Sequence, residues 1–195
     1  MTKEKYTVHY PTKNHIQGML NLNYKIYPED WHVSPVFVER VMNKNPYVYR
    51  IIEVDGEVKG IYSMFPLNQE VYEAILSGEM DEKHLDSYIL DYASSEEAYL
   101  YFISMIVDIY DSERKAYAKQ LIRDIPKRLN EIETMGTNIK EIGAIAISEE
   151  GERIASKIGF AFTGKYVSHK EEKFPVFRGQ KEDFTASIQE ANKNK

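Results

Sequence analysis

The side chains best able to take part in a reaction cluster around one uncharged segment. Residues 98–107 contain no charged side chain, yet Tyr99, Tyr101 and Ser104 place hydroxyls along them and Asp108 closes them with a carboxylate. Asp108 can bond the turn that follows or face a substrate. Just beyond, Asp111 and Ser112 offer caps for a helix whose first turn holds Arg114 and Lys115. A helix start presents unpaired N–H groups and the positive end of the macrodipole, so residues 111–118 could receive an anion. The same residues serve equally as an ordinary helix start with solvated cations. A further cluster is Trp31 and His32 beside Glu29 and Asp30. A Trp there either pins its loop to the core or contacts ligand. The histidines, at 9, 15, 32, 84 and 169, are scattered without metal-ligand spacing. The absence of cysteine removes disulfides, thiolate metal sites and a cysteine nucleophile together. No serine sits in a Gly-x-Ser-x-Gly context, which argues against a hydrolase.

These residues need a frame. Aromatic and β-branched residues fill 98–107, which predicts a strand buried on both faces. Tyr117, Leu121, Ile122, Ile125, Leu129 and Ile132 recur at three- and four-residue steps and line one face of a helix. After a break at 135–138, a second apolar run occupies 142–147. Ser148 then caps a short helix that closes at Gly159 and Phe160. A strand–helix–strand–helix unit of this length predicts neighbouring parallel strands.

That unit resembles the GNAT superfamily of acyl-CoA-dependent N-acetyltransferases. The family's first helix opens on Arg or Gln, two residues, Gly, one residue, then Gly or Ala. Here Glu113, Ala116 and Ala118 fall on those positions, and Ala118 fits. The family's closing Tyr-x-Lys-x-Gly-Phe is met at Lys157, Gly159 and Phe160, with Ala155 in place of the tyrosine. The resemblance implies an α/β (α+β) fold: a mixed central sheet of about six or seven strands with helices on both faces. It also implies acetyl-CoA as co-substrate and acetyl transfer to an amine of a small molecule or a protein. Pantetheine would pair with the backbone of Ile106, Val107 and Asp108, where the two parallel strands part near Val107. The pyrophosphate would rest on the amides of Arg114, Lys115, Ala116, Tyr117 and Ala118. Tyr101 falls about where the family's base stands, although a phenol of ordinary pKa near 10 is a poor base and the residue also reads as core. The missing motif glycine, tyrosine and strand carboxylate leave a second reading, a catalytically inactive CoA-binding or protein-interaction module of the same fold.

The rest of the chain reads as support. A first strand at 6–10, helices at 14–27 and 35–42, and a hairpin of 47–54 with 57–65 through Asp55-Gly56 precede the central unit. Residues 67–97, with a short helix at 68–76 and many acids, read as an insertion that either steers a cationic amine or is a solvated loop. Residues 162–168 predict a strand. Residues 174–177 add a last, edge strand, because proline is tolerated there. One domain of 1–180 would then end in a polar tail, 181–195. A net charge of −6 argues against a nucleic-acid surface, and no run is long and apolar enough to span a bilayer. With no secretory signal at the start, a cytoplasmic location is expected. The oligomeric state and the acceptor are not readable from the sequence.

Overall fold

A computed structural model describes residues 6–193. Its centre is a seven-stranded sheet in the order β1-β2-β3-β4-β5-β7-β6, mixed in direction. The strands are β1 (Val8–His9), β2 (Tyr49–Val54), β3 (Glu57–Leu67), β4 (Glu97–Val107), β5 (Asn138–Ile145), β6 (Ala161–His169) and β7 (Glu172–Gly179). Among the described residues only β4 and β5 pair in parallel. The 21-residue helix α4 (Arg114–Thr134) makes the crossover between them. The hairpin turns at Asp55 and Gly56, both at positive φ, as a tight two-residue connection requires.

Helices cover both faces. On one lie α1 (Ile16–Ile26), α2 (Pro35–Lys44) and α3 (Gln69–Ser77), packed on residues such as Ile51, Phe65 and Tyr101. On the other lie α4, α5 (Glu149–Ile158) and α6 (Lys181–Lys193), packed on Tyr62, Leu100 and Ile142. The caps behave as their residue types dictate. Ser34, Asn68 and Ser148 each accept a backbone N–H of the first turn of α2, α3 and α5.

Three expectations change. The 67–97 insertion is built into the core: Val71, Tyr72, Ile75, Leu76 and Leu85 are buried there. A Cβ on Gly143 of β5 would come within 2.5 Å of the Tyr72 hydroxyl, so α3 lies directly on the sheet. Strand β7 is internal, between β5 and β6, and β6 forms the edge. Pro175 fits there because its pairing with Tyr166 lies at a register shift in β6. The polar tail is largely α6, whose Phe184 and Ile188 are buried and whose Asp183 backbone lies where a Gly159 Cβ would be. Residues 194–195 lie outside the described residues.

Candidate active site

Strands β4 and β5 pair only from Glu97↔Asn138 to Tyr101↔Gly143 and then separate. The fork therefore opens earlier than the expected point near Val107. Beyond it, β5 turns its other edge to β7, through Ile145↔Val176. The 102–107 edge of β4 is left without a strand partner among the described residues. At the fork β4 carries one extra residue: Ser63 pairs with Ser104 and Met64 with Phe102, so Ile103 has no opposite number in β3. Such a bulge reverses the strand's alternation. Tyr99, Tyr101 and Ile103 face the α1–α3 side before it, and Ile106 faces that side after it.

A cavity of two connected chambers opens on that side. Glu82, Ile103, Ile145 and Ile147 line both. The inner chamber, about 90 Å³, is walled mainly by Leu20, Phe37, Tyr49, Phe65 and Ile106. Its serines, Ser63 and Ser104, bond each other, and Asn23 accepts the Val33 N–H. The outer chamber, about 360 Å³, shares Trp31 with the inner one and adds Ile75, Met80, Val167, His169 and Phe174. Trp31 lies 4.9 Å from the His169 ring and 5.7 Å from that of Phe174. The Nε2 atom of His169 is buried with no hydrogen-bond partner among the described residues.

Glu82 is the charged group at the junction. The 3-10 helix Glu82–Ser87, capped by the Asp81 carboxylate on the Lys83 N–H, places it there. Its Oε1 accepts the hydroxyl of Tyr101. Burial pushes its carboxyl up to about 7, helped by the charge of Asp81 and opposed by the Tyr101 bond. Tyr101 is itself fully buried, and burial with the Glu82 charge drives its phenol far above the ordinary range. It can hold a carboxylate but not act as a base near neutral pH. Sequence reading missed Glu82 because nothing separates it from the other acids of 79–97.

The other named residues lie at the far end of β4. The Asp108 N–H donates to the Lys59 carbonyl. By antiparallel alternation Ile106 also faces β3, which leaves the backbone of Val107 on the open edge. The Asp108 carboxylate is only 4% exposed. Burial alone would raise its pKa, but Lys25 at 2.8 Å and Lys59 at 3.3 Å hold it below the usual range. It is a structural ion pair. At the start of α4, Asp111 accepts the Glu113 N–H through its side chain and the Arg114 N–H through its carbonyl. The amides of Ala116 and Tyr117 donate to the Glu113 carbonyl. Of the five amides 114–118, Arg114, Ala116 and Tyr117 thus have partners inside the turn. Arg114 and Lys115 are exposed, and Ala118 is half-buried.

The sequence matches no family model and no curated protein. The structure does have counterparts. The loading GNATL domain of CurA from Lyngbya majuscula superposes with a TM-score of 0.71 at 10% identity, covering 91% of this chain and 98% of that one. The chain has the GNAT fold. A GNAT-like decarboxylase, GphF, in complex with isobutyryl-CoA gives 0.61 at 11% identity, covering 90% and 99%. Arabidopsis thaliana Naa50 in complex with the bisubstrate analogue CoA-Ac-MVNAL gives 0.52 at 11%, covering 90% and 98%. The seven-stranded mixed sheet with its helices thus has the GNAT architecture at very low identity.

Proposed function

We propose that this protein is an acyl-CoA-dependent acyltransferase that moves an acetyl group from acetyl-CoA to an amine. The observation that carries this reading is the fork: a bulged, unpaired strand edge opening onto a chamber that holds a carboxylate titrating near neutrality. Pantetheine amides would bond the open edge of β4 as an added strand, with Val107 and Met105 presenting their backbone groups. This places the thioester beside Ile103. The pyrophosphate would lie by the exposed Lys115, with Arg114 next to it and Ala118 leaving room one turn on.

Glu82 is the general base. A base whose pKa lies near the working pH is the most effective proton acceptor. Its carboxylate takes one proton from the incoming ammonium, and the freed amine attacks the thioester carbonyl. As the C–N bond forms and the C–S bond breaks, the second nitrogen proton passes to the departing thiolate. Tyr101 holds Glu82 at the fork. Support for the co-substrate comes from neighbours whose structures hold CoA derivatives.

The test is release of CoA thiol from acetyl-CoA across a panel of amines. Amine-dependent release that falls about 10²-fold or more in Glu82→Gln supports the reading. Because the α4 turn uses most of its own amides, a second reading stands beside it, a CoA-binding module without turnover. Stabilisation by acetyl-CoA with no release for any amine would select that reading. Loss of CO₂ from a carboxyacyl thioester without an amine would instead move the assignment to the reaction named for GphF.

A further inference from the structure

The chamber's chemistry narrows the acceptor. Apart from Glu82, most groups around it are apolar or already engaged; the polar exceptions on the outer chamber's wall are His169, whose Nε2 is buried without a partner among the described residues, and Lys83, itself a cation. Ser63 and Ser104 satisfy each other, Asn23 is held by Val33, and Asp81 caps its own helix. In the outer chamber the carboxylate of Asp30 is taken by Lys170. The Oε1 atom of Glu82 receives Tyr101, while no partner is held by its Oε2 among the described residues. A cation can therefore be met at Glu82, while the other carboxylates of the wall, Asp30 and Asp81, are engaged by Lys170 and by the Lys83 N–H. Around that point stand Trp31, Phe37, Ile75, Met80, Val167 and Phe174. A ligand amine there replaces its water with a carboxylate and lays its carbon skeleton on aromatic and aliphatic walls. An uncompensated second ammonium or a row of hydroxyls would lose hydration without replacement. Size points the same way. A dry cavity of about 150 Å³ takes a benzene ring, so the outer chamber of about 360 Å³ admits a ring with a short side chain, while the inner one, about 90 Å³, is too small for that.

From this geometry we infer that the acceptor is a compact hydrophobic primary monoamine, its nitrogen at Glu82 and its apolar body along the outer chamber between Trp31 and Phe174. The inference rests on the acyltransferase reading for its chemistry, but not for the existence of the amine site. Polyamines, aminosugars and protein lysines are the wrong classes: the first two are too polar or too highly charged, and the third carries its amine on a bulky chain.

Ligand comparison on the unaltered protein tests this first, and one variant sharpens it. The probes are 2-phenylethylamine, 2-phenylethanol, putrescine and spermidine, followed by melting temperature without cofactor and by CoA release with acetyl-CoA. Phenylethylamine should stabilise the protein and turn over with kcat/KM at least about tenfold above either polyamine, as the burial of several methylene equivalents requires. Phenylethanol should stabilise it much less, and Glu82→Gln should remove the difference between amine and alcohol. Equal binding of the alcohol, or preference for a polyamine, overturns the inference while leaving acyl transfer intact. Stabilisation by phenylethylamine, lost in Glu82→Gln, with no CoA release from any amine upholds the site and overturns the acyltransferase reading instead.

Discussion

Each face of the sheet holds a carboxylate that accepts a tyrosine hydroxyl, buried in one case and half-buried in the other, and the two differ in what surrounds them. Under α4, Asp124 accepts both Nε and Nη2 of Arg50 at 2.7 Å and the Tyr62 hydroxyl at 2.7 Å. Arg128, beside it, bonds the Tyr10 hydroxyl and the Tyr47 carbonyl and lies against the rings of Tyr10 and Tyr92. Every charge there has its counter-charge. Across the sheet, Glu82 has the hydroxyl of Tyr101 and no ion-pair partner among the described residues, and its surroundings are hollow rather than filled. A carboxylate with all its bonds made is architecture; one left a bond short, beside a cavity, is available for chemistry.

The largest effect should come from breaking the saturated cluster. Asp124→Ala leaves the Arg50 guanidinium buried without its partner, which should cost about 3–5 kcal/mol. Urea denaturation measures it, and a loss below about 1 kcal/mol would mean the cluster does not hold α4 to the sheet. Glu82→Gln should do the opposite: a large fall in turnover, about 10²-fold or more, with stability at pH 7 unchanged or higher. If both variants lose stability equally, the contrast between the two carboxylates is wrong.

The contrast also extends to pH. Because the Glu82 carboxyl is raised from an ordinary value near 4.5 to about 7, the folded state holds a proton that the unfolded chain releases. Glu82's contribution to stability is thus full below about 4.5 and is lost as pH rises through about 7. Activity should move the other way, rising through pH 7 as the base deprotonates. The groups facing it are Asp81, Tyr101 and Tyr27. A kcat/KM profile that is flat from pH 5 to 8 would remove Glu82 from the proton path. The smallest change is Tyr101→Phe, which takes away the bond that pulls the carboxyl down. The profile should shift to higher pH, with a loss at pH 7 of about tenfold or less.

Much of the frame was legible because it is written in local patterns. The Asp55-Gly56 turn, the apolar stripe of α4 and the uncharged β4 each depend on neighbours in sequence. What escaped notice depends on partners far along the chain. The fork and the bulge at Ile103 are properties of register, which β3 and β5 decide. The docking of α6 buries Phe184 and Ile188, two apolar residues at an i, i+4 spacing in a polar stretch, a signal that was present but short. The place of β7 inside the sheet was misread from Pro175, since a register shift in the neighbouring strand tolerates proline as an edge does. Glu82 is distinguished from the acids around it only by the fold, which turns one of them inward. The α4 turn is a subtler case. Its residue types suit an anion site, but Asp111 and Glu113 already take the N–H groups that the motif's glycines would leave open.

The central claim is that the forked strands and the start of α4 form a thioester-CoA site, and the melting temperature with acetyl-CoA tests it most directly. Ligand at about 100 times its Kd should stabilise the protein by about 2.7 kcal/mol, a rise of about 5–10 °C for a chain of this size. Ala118→Glu, which puts bulk and negative charge one turn into α4, should fold normally and show a rise of less than about 1 °C at the same concentration. No rise in the parent at millimolar acetyl-CoA, or an equal rise in the variant, would contradict the site.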